Sequence, residues 1–450
     1  MRIALKRKSF LVAAAGLWTA GCLLALVLWR LWPSPPDVII ILLDALRRDH
    51  VGCYGYHRNT TPFIDSVAGE GVVFDCAISQ APSTKASIAS LFSSLYPTMH
   101  TALWHTTEGA IGDVLPGSVR TLAEAFRDRG YATIGVSANT HIGREFGFTQ
   151  GFDSFTHTTL LPPPAMNAEA LRLLSRAGEK PFFLYLHYMS IHYPYDPPPP
   201  YDTLYTARTG PYYYIDGKPE QELSPEDVQY IVDRYDGGIN YTDACLKNLF
   251  DELERRGKLR NAVVVILADH GEEFMDFGRL GHPGRLYDLM IHVPMIIRMP
   301  GGEAVPKRAS RVAALIDLYP TLCAFAGIEY DSELLCGVNL LPLIRKGTSV
   351  RQAAFSEYYI YQKSIRDETC KYVFPAHPGF TESLHDLVLD PQETVDILAE
   401  RPDLADRYRR MAARWMEEMK AKNSRLGIIP QQVEIDAKTR AGLKSLGYIQ

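Results

Sequence analysis

The sequence has little that would suit binding to nucleic acid, and it contains no internal repeat or low-complexity segment. Its 450 residues carry 47 Lys and Arg against 52 Asp and Glu, which gives a formal net charge of −5. Because binding to a phosphate backbone requires a positive surface, this balance argues against nucleic acid as a partner. The seven cysteines form no Cys-x-x-Cys pattern, so they indicate neither a zinc site nor a redox motif. Their spacing fixes no disulfide, and buried free thiols are expected for most of them.

What the sequence does contain is two apolar runs that each end in an aspartate. Residues 38–43 precede Asp44, and residues 262–268 precede Asp269 and His270. Apolar runs without polar alternation are typical of central strands that helices cover on both faces. Ligands of such open α/β sheets bind beyond the carboxyl ends of the strands. Carboxylates and a histidine at that edge predict a metal site, with helix capping by each aspartate as the alternative.

Strand and helix patterns alternate through most of the chain, which predicts a mostly parallel sheet with helices on both faces. Helices are predicted over residues 121–129 and 227–256, the second loosened by Gly237 and Gly238. Strands are predicted over residues 133–137 and 181–188. His187 lies inside the second of these strands and is interpreted as a core histidine rather than as a ligand.

The first residues have the features of a membrane anchor. Basic residues between Arg2 and Lys8 precede the uncharged residues 9–29. About 20 apolar residues, each rising about 1.5 Å, span the hydrocarbon core of a bilayer. A basic flank favours a cytoplasmic N-terminus. We therefore expect residues 1–35 to form a cytoplasmic tip, an uncleaved single-pass transmembrane helix and a Pro-rich spacer, with the rest of the chain in the periplasm or at the cell exterior.

A hydroxyl with potential chemistry lies before the helix-like run at residues 85–91. Ser83 and Thr84 precede that run, so one of them is placed near the helix N-terminus, where backbone N–H groups and the dipole favour an anion. A hydroxyl beside a divalent metal can lose its proton and act as a nucleophile. The alternative is a simple helix cap.

Nine segments of the chain carry motif-like patterns: residues 43–56, 60–65, 87–97, 187–195, 269–272, 281–282, 316–322, 384–393 and 446–448. Taken together, they resemble signature motifs of the sulfatase family, part of the alkaline-phosphatase-like superfamily. The resemblance runs in order from about Asp37 to the end of the chain. It implies an alkaline-phosphatase-like α/β fold and one divalent metal ion near the nucleophile. Ca²⁺, Mg²⁺ and Mn²⁺ suit such ligands, and Zn²⁺ is a further candidate.

The resemblance also implies roles for the matching residues around the metal. Asp44, Asp269 and His270 correspond to metal ligands. Thr84 falls at the position of the family's nucleophile, which also contacts the metal.

Further residues are implied to act on the substrate. His192 matches a histidine that contacts the substrate or leaving group, and His282 lies where related enzymes place another catalytic histidine. Lys85, next to the nucleophile, and Arg285 are the candidates for binding the anionic substrate.

The chain departs from standard sulfatases at several of these positions. Those enzymes convert a Cys or Ser to formylglycine, and Thr84 cannot undergo that conversion. Ala45 stands where a second carboxylate often follows the first, and the segment from Asn139 to His141 lacks the lysine of a sulfate-binding Lys-x-His pair. A threonine nucleophile resembles instead the membrane-anchored phosphotransferases of the superfamily, which form a phospho-threonine intermediate.

These features favour a metal-dependent hydrolase of sulfate or phosphate esters. Phosphate is the more natural substrate, because water can attack a phosphorylated threonine, whereas a sulfated threonine has no easy release route. The expected substrate is an anionic ester, with a glycan or lipid head group as a candidate. A membrane-anchored phosphotransferase and a non-catalytic binding protein of the same fold remain the alternatives. We expect residues 36–330 to form the catalytic domain and residues 331–450 a small C-terminal α+β subdomain.

Overall fold

The two apolar runs form neighbouring strands at the centre of an eight-stranded sheet. In a computed structural model that describes residues 35–103, 111–210, 222–282 and 284–446, strand β1 spans Asp37–Leu43 and strand β7 spans Ala262–Leu267. They pair in parallel, with Ile40 opposite Val265. All of their residues after Asp37 are buried, which accounts for the absence of polar alternation.

Among the described strands of this sheet, one runs against the rest. The spatial order is β11 (Arg308–Ala314), β2 (Val72–Ile78), β10 (Met295–Arg298), β7, β1, β6 (Phe182–Tyr188), β4 (Ala132–Ser137) and β5 (Ser154–His157). Strand β10 is antiparallel to both of its neighbours. The other pairs are parallel. The predicted α/β architecture with a mostly parallel central sheet is therefore confirmed.

The helices, numbered in chain order within the described residues, vary from one turn to 31 residues. They are α1 (Pro62–Glu70), α2 (Thr84–Ser93), α3 (Pro97–His100), α4 (Leu122–Asp128), α5 (Pro163–Leu174), α6 (Pro225–Arg255), α7 (Asp288–Ile291), α8 (Leu318–Ala326), α9 (Leu341–Lys346), α10 (Pro402–Leu426) and α11 (Ala437–Ser445). None of these described helices is both long enough and apolar enough to cross a membrane. The predicted transmembrane segment at residues 9–29 lies outside the described residues.

Helix α6 differs from the prediction because it is continuous through its glycine pair. It begins with a capping box, in which Ser224 and Asp227 each accept a hydrogen bond from the other's backbone N–H. A Cβ on Gly237 would lie 2.3 Å from the Tyr201 carbonyl oxygen, and one on Gly238 would lie 2.9 Å from the Ser190 carbonyl oxygen. The glycines therefore permit close packing of the helix against backbone and do not loosen it.

The C-terminal part of the chain contains a second, antiparallel sheet. Its strands are β12 (Ala354–Tyr358), β13 (Gln362–Arg366), β14 (Cys370–Pro375) and β15 (Ser383–Asp386). The Trp415 ring of α10 stacks on Phe355 of β12, with 4.6 Å between ring centroids. Two small ribbons pair β16 (Gln431–Glu434) with β3 (Ile111–Val114), and β8 (Glu273–Phe274) with β9 (Leu280–Gly281). The division of the chain at residue 330 stays a prediction.

Six of the seven cysteines fall within the described residues, and all six are free thiols. Cys22 and the last two residues of the C-terminal motif, Gly447 and Tyr448, lie outside the described residues.

Candidate active site

Asp44 and Asp269 lie together at the carboxyl edge of the two central strands. Both side chains are fully buried. The backbone N–H of Ala45 donates a hydrogen bond to Oδ1 of Asp269 at 3.3 Å. Ala45 itself has a φ of 58°, a left-handed conformation that is unfavourable for a residue with a Cβ. The Tyr235 hydroxyl donates to the Ala45 carbonyl at 2.8 Å and helps to hold this turn in place.

Two side chains that the sequence analysis did not assign to the site, Asn139 and His187, hold one oxygen of Asp44 by hydrogen bonds. Oδ2 accepts hydrogen bonds from Nδ2 of Asn139 at 2.9 Å and from Nε2 of His187 at 2.8 Å. On the other side of the His187 ring, Nδ1 lies 3.1 Å from the Tyr185 hydroxyl. Asn139 follows β4, and His187 lies near the end of β6. Polar residues at the carboxyl ends of all parallel strands, and not only of β1 and β7, would therefore have pointed to these two side chains.

His270 directs the lone pair of a ring nitrogen toward the carboxylates of Asp44 and Asp269. Its Nδ1 lies 2.8 Å from the Gly271 carbonyl oxygen, so Nδ1 carries the proton and Nε2 does not in the neutral ring. Nε2 lies 3.5 Å from Oδ2 of Asp269, 3.7 Å from Oδ1 of Asp44 and 3.1 Å from Oγ1 of Thr84. A carboxylate oxygen from each strand, a nitrogen lone pair and a hydroxyl thus face one another.

The donor set fits a cation. Oδ1 of Asp44 and Oδ2 of Asp269 are buried and have no hydrogen-bond partner among the described residues. Burying such oxygens without a partner is costly, and a metal ion would satisfy both. Asp44, His187 and Asp269 also place ligand atoms within 4.8 Å of one another. His187 fits a ligand role less well than His270, because its Nε2 carries the proton that it donates to Asp44.

The pKa shifts of the two carboxylates have opposite directions. Burial raises the pKa of Asp44, but the His187 hydrogen bond and the charges of His192, His187 and His270 outweigh it and hold that pKa well below its usual range. Burial and the negative charge of Asp44 raise the pKa of Asp269. Each carboxylate therefore opposes the ionisation of the other, an opposition that a bound cation relieves.

Thr84 is the first residue of α2, at the N-terminal end where an anion is favoured. Ser83 takes the N-cap position but makes no side-chain cap bond. One turn later, Oγ of Ser87 donates to the Asp269 carbonyl at 2.9 Å and lies 2.9 Å from Oγ of Ser79. The hydrogen bond from Ser87 to the Asp269 carbonyl connects the first turn of α2 to the loop that contains Asp269. It thereby helps to position Thr84 beside His270.

The two predicted catalytic histidines lie next to this group. The ring centroid of His282 is 4.8 Å from that of His270 and 5.0 Å from that of His192. Nδ1 of His282 lies 3.1 Å from Oε1 of Glu272, and Nδ1 of His192 lies 2.8 Å from the Tyr193 carbonyl oxygen. Burial lowers the pKa of His192, while the Asp44 charge acts to raise it. Burial raises the pKa of Glu272, but the His282 charge and hydrogen bond bring it below its usual value.

Lys85 and Arg285, the two predicted substrate-binding residues, make their described contacts with residues outside the group around Asp44. Nζ of the buried Lys85 lies 4.1 Å from the centroid of the Phe146 ring, and burial lowers its pKa to about 7. The Arg285 guanidinium lies 5.7 Å from the Tyr287 ring. With Tyr358, His385 and nine other residues, Arg285 lines a cavity of about 520 Å³ that includes none of the residues around Asp44. Their predicted roles in substrate binding stay predictions.

A hydroxyl beside a group of side chains that could hold a cation, with imidazoles close by, is suited to breaking an ester of a strong oxyacid. The sheet edge and its side chains thus indicate a hydrolase with an α/β fold and a possible metal site. The family model described as Sulfatase matches residues 36–328, well over half of the chain. The chain therefore belongs to the sulfatase family, and it is a hydrolase acting on sulfuric or phosphoric ester bonds.

Similar proteins agree with this membership. The Delta 4,5-hexuronate-2-O-sulfatase of Bacteroides thetaiotaomicron is 27% identical over 432 residues, covering 83% of this chain and 88% of the relative. A solved structure described as a complex with its substrate D-glucosamine-2-N,6-O-disulfate has a TM-score of 0.73 at 18% identity, covering 86% of this chain and 99% of that one. The phosphonate monoester hydrolase of Agrobacterium radiobacter has a TM-score of 0.70 at 21% identity, covering 89% and 100%. The two structures share the fold with this chain.

Proposed function

We propose that the protein is a metal-dependent phosphoester hydrolase with Thr84 as its nucleophile. The observation that carries the proposal is the 3.1 Å separation between Oγ1 of Thr84 and Nε2 of His270, at a helix N-terminus. Threonine favours phosphate over sulfate esters, because it cannot form formylglycine and a phospho-threonine can be hydrolysed directly. The shared fold with a phosphonate monoester hydrolase supports the same choice.

Asp44, Asp269, His270 and Thr84 are the residues that would hold one divalent ion. When bound, that ion supplies a Lewis acid that lowers the pKa of the hydroxyl and neutralises charge on the phosphoryl group. The oxygen-rich set suits Ca²⁺, Mg²⁺ or Mn²⁺, and the histidine also admits Zn²⁺. Asn139 and His187 orient Asp44, since both donate to Oδ2 and leave Oδ1, which lies 3.7 Å from Nε2 of His270, for the ion.

The protein's own side chains and solvent account for the proton and bond changes. The Thr84 hydroxyl releases its proton to solvent, and its oxygen forms a bond to phosphorus while the bond from phosphorus to the leaving oxygen breaks. His192 in its protonated form donates a proton to that oxygen, and an alcohol departs. Neutral His192 then accepts a proton from the water that attacks phospho-threonine, and the bond from phosphorus to the Thr84 oxygen breaks. Phosphate is released, and the Thr84 oxygen takes a proton from solvent to restore the hydroxyl. The contact with Glu272 orients the neighbouring His282 ring, and His282 is the second side chain here that can carry a proton.

Two substitutions at one position test this proposal. Thr84→Ala removes the nucleophile, and we expect kcat to fall by at least about 1,000-fold. Thr84→Ser keeps a hydroxyl and should retain measurable turnover. The assay uses aryl phosphate, phosphodiester, phosphonate ester and aryl sulfate, with metal content measured in each variant. Full activity of Thr84→Ala, or turnover of the sulfate ester alone, contradicts the proposal.

A phosphotransferase is the second candidate, favoured by the likeness of Thr84 to the threonine of membrane-anchored phosphotransferases. In that case an acceptor hydroxyl, of a glycan or lipid head group, replaces water in the second step. Product analysis with and without added acceptor alcohols separates the two, because a transferase yields a new phosphoester in place of free phosphate.

We also propose that residues 9–29 anchor the protein in a membrane, with the enzyme domain on the extracytoplasmic side. The support is the uncharged stretch after a basic cluster.

A further inference from the structure

A cavity of about 460 Å³ lies against His192. Its size falls within the range of small-molecule binding sites, roughly 300–1,000 Å³. It is walled by the segment after β5, the segment after β6 and one residue of α6. The lining residues are Leu160, Leu161, Pro162, Pro163, Met189, Ser190, His192, Pro194, Asp196, Pro197, Pro198 and Tyr241.

The wall of this cavity offers few hydrogen bonds to a ligand. Five of its twelve residues are prolines, which have no backbone N–H to donate. The Thr242 hydroxyl donates to the Gly238 carbonyl, so the hydroxyl of Ser190, 2.6 Å from that of Thr242, donates its proton to Thr242. The Asp196 carboxylate pairs with the guanidinium of Arg234. The Ser190 hydroxyl and the Asp196 carboxylate thus have partners within the protein. The leucines, the prolines and Met189 present mainly carbon to the cavity.

Leu160, which lines this cavity, is an unfavourable residue for the stability of the folded chain for two reasons. Its φ is 55°, in the left-handed region where a residue with a Cβ is strained. Its side chain is 42% exposed, so it gains little from burial. Glycine or asparagine would suit this backbone better. The fold therefore gains little from a leucine at this position, and the Leu160 side chain is available to contact a ligand in the cavity.

We propose that this cavity receives the alcohol part of the substrate, and that it selects an apolar, ring-bearing alcohol over a free sugar. The inference rests on the proposed function, in which His192 protonates the leaving oxygen, because a cavity against that histidine is where the departing group lies. A sugar would bury hydroxyls against a wall with few partners for them, which costs binding free energy. An aromatic or alicyclic ring would bury carbon against leucine, proline and tyrosine.

The test measures binding of the product alcohols, so it needs no turnover. 2-Naphthol and glucose are titrated separately into the wild-type protein and followed by calorimetry or ligand-observed NMR. We expect 2-naphthol to bind at least about tenfold more tightly than glucose. In Leu160→Gly its affinity should fall roughly fivefold to tenfold, because the rim contact is lost. The same variant should melt at an equal or higher temperature, because glycine relieves the backbone strain.

Tyr359→Gly is the matched control, since Tyr359 has a φ of 47° and lies outside the cavity. It should leave the affinity for 2-naphthol unchanged. Equal affinities for 2-naphthol and glucose, or unchanged 2-naphthol affinity in Leu160→Gly, overturn the proposal. The product alcohols should bind Thr84→Ala as they bind the wild type. An active Thr84→Ala with a marked preference for 2-naphthol would therefore refute the proposed mechanism and leave the cavity proposal standing.

Discussion

At Asp44, two donors satisfy one carboxylate oxygen while the other has no described hydrogen-bond partner. Asn139→Ala removes one of these donors, and His187→Phe removes the other. Each substitution frees Asp44 to rotate, so we expect the affinity for the divalent ion to fall by about 10- to 100-fold. Competition with a chelator of known affinity measures the change.

His50→Phe is the control for His187→Phe. His50 is also a buried histidine whose ring nitrogen contacts an aspartate, Asp236, at 2.7 Å. Its loss should lower thermal stability without changing metal affinity. If His50→Phe weakens metal binding as much as His187→Phe does, the role assigned to His187 is wrong.

His192 gives the reaction a defined dependence on pH. Its Nδ1 faces the Tyr193 carbonyl, so titration takes place at Nε2. Burial lowers its pKa below the ordinary 6.5. Because the protonated form is the acid, kcat/KM for an alkyl ester should fall as pH rises through a pKa below 6.5. A 4-nitrophenyl ester needs less protonation of its leaving oxygen and should show a weaker decrease.

The contrast between the two esters should disappear in His192→Asn. An equal decrease for both esters, or an unchanged profile for the alkyl ester in that variant, would assign the proton to another group.

The sequence identifies some residues of the candidate site and not others. Asp44 and Asp269 follow recognisable strands, and Thr84 and His270 match family motifs, so the sequence could place all four at one site. The structure brings the four side chains together, and their roles stay predictions. Asn139 and His187 were missed because their contact with Asp44 depends on the side-by-side order of β4, β6 and β1. No local pattern encodes that order.

Between elements, the bond from Ser87 to the Asp269 carbonyl joins helix α2 to the loop after β7. Ser87→Ala removes this bond and the contact with Ser79, at a cost of about 1–3 kcal/mol in the free energy of unfolding. Thr84 would then be held less firmly, so kcat should fall roughly tenfold or more. KM should change less. Urea unfolding and steady-state kinetics measure both effects.

Ser93→Ala is the matched substitution in the same helix. The buried Ser93 hydroxyl donates to the Ala89 carbonyl within α2. We expect Ser93→Ala to lose about as much unfolding free energy as Ser87→Ala does, while its kcat stays at the wild-type value. If both variants lose kcat equally, general weakening of the helix explains the effect, and the link to Asp269 does not.

Elements were predicted well where one local pattern dominates. The uninterrupted apolar runs gave β1 and β7, because both faces of those strands are covered. The reason for Gly237 and Gly238 within α6 could not be predicted, since it is the close approach of the backbone at Tyr201 and Ser190, which lie far from the glycines in sequence.

For the whole molecule, the proposed anchor predicts where the protein is found after cell lysis. The full chain should sediment with membranes and resist extraction by high salt, and detergent should release it. A chain of residues 36–450 should lack this association while keeping turnover. Protease added to intact spheroplasts should digest the enzyme domain if it lies outside the cytoplasm. Release of the full chain by salt alone would contradict the anchor.

In the proposed mechanism, Thr84 carries the phosphoryl group between the two chemical steps. Rapid acid quenching of the enzyme during turnover of an aryl phosphate, followed by peptide mass spectrometry, would detect that group. We expect one phosphoryl group on the peptide that contains Thr84, and none in Thr84→Ala. Steady turnover with Thr84 unmodified at every quench time, or a phosphoryl group on another residue, would contradict it.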